Sequence, residues 1–239
     1  MRLKPGWYLL GLALLYALIV TGGLQTARRQ VASLGSQNQQ LQAELASGPK
    51  GYILPLPGAC IPTEADNLPG AARPYRKGVN AGFIFQGSSV CTPVIRGIGV
   101  VAAGSGKVIR ADIDYRELGR QAFDQLLTAV GNGANPDQLA QLRGREIWIE
   151  HPDGSVTVYG HLSLIAPQIK VGQVVQKGDW IGRVGNSGTF QASQASAAGP
   201  RLLFEHWSGQ PDQSDYFGKG LSRDDLIGQA RQRYTAALR

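Results

Sequence analysis

The chain of 239 residues has three histidines, His151, His161 and His206, and two cysteines, Cys60 and Cys91. A structural zinc site takes four His or Cys ligands in short, paired spacings, and no such pairing is present. A nucleophilic serine on a strained elbow needs Gly-x-Ser-x-Gly, a spacing that Gly185-Asn186-Ser187-Gly188 lacks. Gly104-Ser105-Gly106-Lys107 is not a phosphate loop: Val108 stands where a hydroxyl is required, and the upstream glycine is missing. The even cysteine pair reads as a disulfide in an exported chain, or as two separate buried thiols in a reducing compartment. Among the histidines, His161 sits in Tyr159-Gly160-His161-Leu162-Ser163, at the end of an alternating strand pattern.

The elements that would position these groups are mostly short strands. Glycine is abundant (32 residues) and charge is sparse (17%), which suits a turn-rich β domain rather than a coiled coil or a disordered tail. Residues 99–104 and 106–111 read as a hairpin about a Gly-rich turn. Residues 146–151 alternate polar and apolar, turn at Pro152-Asp153-Gly154, and return as 155–159. Residues 171–182 form a strand–turn–strand unit, and 202–207 a last core strand. A helical insertion at 115–143 interrupts this series. Leu118, Ala122, Leu126 and Val130 share a helix face, and Asn135 with Gln138 makes a capping box for a second helix starting at Pro136. The chain closes with a helix begun by Ser222 and Asp225, carrying Leu226, Ala230, Tyr234 and Leu238 on one stripe. Residues 190–198 are small, polar and featureless, and read as a mobile loop.

The amino-terminal part is a different material. Between Lys4 and Arg28 there is no charge, and a helix of that length would span roughly 34 Å, against a hydrocarbon core of about 30 Å. Residues 1–27 therefore read as one transmembrane anchor. The rival readings are a cleaved signal peptide, which would need a better residue than Gln25 at −3, and a buried helix. Basic residues flank both ends, so charge does not orient it. Residues 28–46 read as a short coiled-coil-like stalk, with Val31, Leu34, Asn38, Leu41 and Leu45 in an a/d register, or as a plain spacer. Residues 47–74 carry Pro49, Pro55, Pro57, Pro62, Pro69 and Pro74 and read as an extended linker. Residues 75–239 are left as the folded domain.

Within that domain, five pieces resemble the LytM-domain family, the lysostaphin-type zinc peptidoglycan endopeptidases. They are Ile149-Glu150-His151-Pro152-Asp153-Gly154, Tyr159-Gly160-His161-Leu162-Ser163, Val171–Asp179, Ile181–Gly188 and Gly199–Glu205, and Pro74–Phe85 resembles the family's first metal-site strand. The resemblance implies a mainly β fold: a small antiparallel β-sandwich-like domain with a groove, here with a helical insertion and a C-terminal helix, preceded by one transmembrane helix.

It also implies five site positions. The family uses a His-x-x-x-Asp pair, a His in the Tyr-x-His-Leu element, and a His-x-His pair before Phe-Glu. The first His, the Asp and the last His hold zinc, and the other two act on water and substrate. Here those positions are Asn80, Ile84, His161, Arg201 and Leu203. Two aliphatic side chains cannot donate to a metal, and Arg201 brings a fixed positive charge. The resemblance thus implies a degenerate site with no catalytic residue, no metal ligand set and no cofactor, closed into a dry apolar pocket. A site rebuilt from His151 or His206 remains an alternative, which would make the chain an active metallo-endopeptidase.

Family members without catalysis act as scaffolds or activators. The expected partners are a cell-wall hydrolase or division-complex protein, with peptidoglycan itself as a further ligand and a homodimer through the stalk as one arrangement. Nothing implies nucleic acid. The +5 balance of residues 28–239 (22 basic minus 17 acidic) suits an anionic wall or membrane surface. With Cys60 and Cys91 as a disulfide, the bulk of this single-pass chain would lie on the periplasmic or extracellular side. The 171–179 unit also resembles the lipoyl-like hybrid barrel of periplasmic efflux adaptors, a second functional class.

Overall fold

The computed structural model describes residues 21–37, 51–235 and 237. Residues 21–37 form a helix, α1, which belongs to a unit separate from the one beginning at Ser47. Most of the expected anchor and the second half of the stalk, Asn38, Leu41 and Leu45 included, lie outside the described residues. Among the described residues no helix is long and apolar enough to cross a membrane. Val31 and Leu34 are exposed on α1.

In the second unit the strands run β1 (Tyr52–Ile53), β2 (Ala72–Arg73), β3 (Gly78–Val79), β4 (Gly82–Gln86), β5 (Gly99–Val101), β6 (Gly106–Ala111), β7 (Ile147–Glu150), β8 (Val156–Gly160), β9 (Leu162–Ile165), β10 (Val174–Val175), β11 (Trp180–Val184), β12 (Arg201–Trp207) and β13 (Tyr234–Thr235). The helices are α2 (Arg120–Ala129), α3 (Pro136–Arg143), α4 (Phe190–Ser193) and α5 (Arg223–Arg233). A six-stranded antiparallel sheet has the order β10-β6-β7-β8-β12-β4, and a three-stranded one the order β5-β11-β9. Val108, Ile147, Ile149, Phe85 and Phe204 from the first sheet meet Val100, Leu162, Ile181 and Val184 from the second in one core. The mainly β, sandwich-like expectation matches this packing.

Several local readings differ from the structure. Residues 99–104 and 106–111 are not a hairpin. β5 pairs with β11 and β6 with β7, because the turn between them sends the chain from one sheet to the other. The 171–182 unit is likewise divided, β10 joining the large sheet and β11 the small one. The Pro-rich segment is no free linker from Tyr52 onward. Leu54, Leu56, Ala59, Ile61 and Leu68 are buried in the core, and β1 pairs in parallel with β13. Prolines permit this because a strap laid on a core can do without a full hydrogen-bond ladder. Residues 190–193 are helical, with the Thr189 hydroxyl accepting from Ala192 N, so that segment is structured rather than featureless.

Cys60 and Cys91 are joined, with their Cα atoms 5.4 Å apart. The Asn135–Gln138 capping box forms in both directions, and the Ser222 hydroxyl caps α5 through Asp225 N.

Candidate functional site

Strand alternation decides which residues of β12 can share a site. Leu202, Phe204 and His206 face the core side, whereas Arg201, Leu203, Glu205 and Trp207 line a cavity of about 780 Å³. On β4, Phe83 and Phe85 enter the core and Ile84 lines the cavity. The register sets Ile84 opposite Leu203, and Leu203 opposite Gly160 on β8. His161 follows Gly160 in a left-handed conformation (φ 61°), rare for a residue with a side chain, and it too lines the cavity. Asn80, just ahead of β4, completes the set. All five positions singled out from the sequence, Asn80, Ile84, His161, Arg201 and Leu203, therefore meet at one cavity. The expectation of a closed pocket fails. Ile84 and Leu203 pack side by side at its floor, but the walls stand apart.

Two of those five have settled structural duties. The Asn80 amide donates to the carbonyls of Leu68 (3.0 Å) and Gly82 (2.5 Å), pinning the strap to the start of β4. His161 Nδ1 donates to Ser187 O at 2.8 Å, and its backbone N donates to Arg143 O at 2.7 Å. Burial, with the positive charge of Arg201 adding to it, takes the His161 pKa down to about 4. The ring is neutral at pH 7.

The helical insertion supplies the facing wall, with Phe123 and Leu127 from α2 and Leu139 and Leu142 from α3. Phe123 meets Phe190 of α4 edge-on, and Arg120 lies over the Phe190 ring at 4.4 Å. Across the cavity, Lys77 Nζ donates to Asn132 Oδ1 at 2.9 Å, so the insertion touches the loop after β2.

The polar lining divides into two parts, of whose residues the sequence had singled out only Arg201. At one end Arg143 is buried in carboxylates. It holds Asp212 in a two-pronged contact (Nη1 to Oδ2 3.0 Å, Nη2 to Oδ1 2.5 Å) and reaches Glu205 at 3.2 Å. Glu205 also accepts from Trp207 Nε1 at 2.9 Å. Behind this lies Glu146, with Arg143 4.0 Å and Arg110 3.0 Å away; burial pushes its pKa up to about 7 against those two cations. At the other end Arg73, Arg76 and Arg201 line the cavity, and among the described residues no carboxylate lies within ion-pair distance of them. The sequence signs of this arrangement are Arg201 at a motif position and the basic run around residues 73–77.

His151 and His206 lie away from the cavity, on the core side of the sheet. His151 bonds Ser105 O (3.0 Å) and Thr157 Oγ1 (2.8 Å), and His206 bonds Tyr234 Oη (2.7 Å) and Ser155 Oγ (3.0 Å). Each ring has both nitrogens engaged, so neither rebuilds a site with His161. The Ser187 hydroxyl accepts from Arg145 N at 2.9 Å.

The sequence profile of Peptidase family M23 matches residues 89–215, more than half of the chain. The chain belongs to peptidase family M23. No curated protein matches it. Among solved structures, this M23 chain is similar to a zinc-containing peptidase from Vibrio cholerae (23% identity, TM-score 0.41, covering 66% of this chain and 36% of that one). It is also similar to a mutant catalytic domain of the prophage-encoded M23 protein EnpA from Enterococcus faecalis (18%, 0.39, 75% and 96%). A third is the catalytic domain of the antimicrobial peptidase lysostaphin from Staphylococcus simulans (20%, 0.34, 69% and 84%). The M23 chain thus spans only about a third of the Vibrio peptidase.

The residues at the positions that the sequence resemblance matches to metal ligands do not fit zinc. A catalytic zinc takes three side-chain donors and keeps one place for water. Ile84 and Leu203 have no donor atom, and the Asn80 amide is spent on two carbonyls. His161 has one nitrogen left. Among the described residues, no three of His, Cys, Asp and Glu gather as a metal site would require. Asn80 and Ile84 precede the profile match, and the strand register brings Ile84 beside Leu203.

Proposed function

We propose that this chain is a non-catalytic M23 protein of the cell envelope, a scaffold or activator whose cavity binds rather than cuts. Its partner would be a peptidoglycan-remodelling or division enzyme. The observation that carries the reading is the pairing of Ile84 with Leu203, two hydrocarbon side chains set against each other where the family places metal ligands. Hydrolysis by activated water needs a bound dication to bring the water pKa near 7. Without donors there is no such step, and His161, at about 4 and beside Arg201, is a poor general base at neutral pH. What persists is the framework: an antiparallel sheet, a cavity of binding-site size, and polar groups fixed in its walls.

The Cys60–Cys91 bridge supports an oxidising compartment for the folded unit. With the uncharged run of residues 5–27, the reading is a single-pass anchor with the domain outside the cytoplasm. The test is genetic and topological. A reporter active only outside the cytoplasm, fused after Arg239, should be active. His161→Gln at normal protein level should complement a deletion strain as the wild type does. Activity of a cytoplasm-only reporter would refute the placement, and loss of complementation would show that His161 has chemistry or holds a ligand.

A further inference from the structure

We propose that the cationic end of the cavity is a carboxylate-binding site, built from Arg201, Arg73 and Arg76, that seats a peptide by its free carboxyl group. This deepens the non-catalytic reading and rests on it.

Arg201 occupies the first His position of the family's His-x-His pair, at the start of β12, and its Nε donates to Gly199 O (3.2 Å). Arg73 donates from both Nη atoms to backbone carbonyls, those of Ala72 and Asp66. Arg76 donates to Val79 O and has a buried Nε with no partner. None of the three has a carboxylate at ion-pair distance among the described residues. The contrast with Arg143 is sharp, since that side chain in the same cavity is fully matched by Glu205 and Asp212. Burial lowers the pKa of both Arg73 and Arg201; the charge of Arg73 adds to this at Arg201, and at Arg73 the charge of Arg76 adds to it while Tyr75 and Asp66 oppose it. Charges held together this way, partly out of water, are relieved by an anion that brings acceptors to the guanidinium forks.

The rest of the cavity defines what the anion is attached to. Ile84 and Leu203 form its floor, and Phe123, Leu127, Leu139 and Leu142 its far wall. A bare inorganic anion would leave that surface uncovered. A carboxylate on an apolar peptide covers both, with the carboxyl group at the arginines and side chains against the insertion.

The experiment is titration calorimetry of the full-length chain with N-acetyl-leucyl-leucine as the free acid, its carboxyl-terminal amide, and inorganic phosphate. The free acid should bind, the amide at least tenfold more weakly, and phosphate more weakly than the acid. Raising the salt should weaken the acid and leave the amide alone. Arg201→Gln and Arg76→Gln should each cost the acid at least tenfold with the amide unchanged; if a variant misfolds, the salt series on the wild type still separates a charge-held acid from one held by apolar contact alone. Equal binding of acid and amide, no binding of either, or phosphate outcompeting the acid would overturn the proposal. Peptide-bond cleavage in the same samples, followed by chromatography, would instead overturn the non-catalytic reading and leave the carboxylate site standing.

Discussion

Replacing Arg143 with Met should destabilise the domain severely, and through charge rather than packing. The side chains involved are almost fully out of water: Arg143 and Glu205 are 5% exposed, Asp212 7% and Glu146 0%. Asp212 and Glu205 accept directly from Arg143, and these neighbours raise its pKa although burial alone would lower it. Methionine keeps much of the volume but leaves Glu205 and Asp212 without a cation. Removing one partner from a buried ion pair costs about 3–5 kcal/mol. A domain's total stability is roughly 5–15 kcal/mol, so the loss is a large fraction of it. The midpoint of thermal unfolding should fall by about 10 °C. Urea unfolding of the full-length chain at pH 7, followed by circular dichroism, measures it. Adding Glu205→Gln and Asp212→Asn to the Arg143→Met chain should restore most of the loss, because neutral amides cost far less to bury than bare carboxylates. A single-variant loss below about 1 kcal/mol, or a triple variant as unstable as the single, would refute the electrostatic argument.

Opening the Cys60–Cys91 bridge releases a loop with a sequence separation of 31. Replacing both cysteines with Ala should cost about 3–4 kcal/mol on the chain-entropy account, and alkylation of unreduced, denatured protein should label neither thiol; labelling of both would contradict the pairing. Acid should also weaken the fold. His161 (about 4) and His206 (about 3) are held neutral chiefly by burial, and His151 is lowered for the same reason. The unfolded chain takes up their protons from about pH 6.5 downward, so the stability they contribute is complete above that pH and is lost as it falls toward 4 and 3. Glu146, raised to about 7, works in the opposite sense between pH 7 and 4.5, one group against three. Urea midpoints at pH 7.5 and 4.5 should therefore fall in that order, and an unchanged or higher midpoint at pH 4.5 would contradict it.

What was legible in the sequence was local. Capping pairs such as Asn135–Gln138 report themselves because the hydrogen bonds span three residues. Strand alternation along residues 202–207 is enough to set His206 on the face opposite to Leu203. The five site positions came from a motif resemblance, and all five line one cavity. Pairing partners were less accessible, because β5 and β6 look like a hairpin in sequence and their divergence is decided by the core each must cover. The burial of Leu54 and Leu56 was hidden by the prolines around them. The Arg143–Asp212 contact joins residues 69 positions apart and leaves no periodic trace. The open cavity depends on the helical insertion standing off the sheet, a tertiary fact that the residues at the floor do not encode.

The central claim, that the chain binds but does not cut, is tested most directly by one paired assay. Full-length protein, purified untagged and without chelator, is measured for zinc by elemental analysis and incubated with peptidoglycan while soluble muropeptides are counted. The donor set of Asn80, Ile84, His161 and Leu203 predicts far less than one zinc per chain and no release above buffer, even with zinc added. About one zinc per chain, with release that a chelator abolishes, would contradict the account and make the protein a working M23 peptidase.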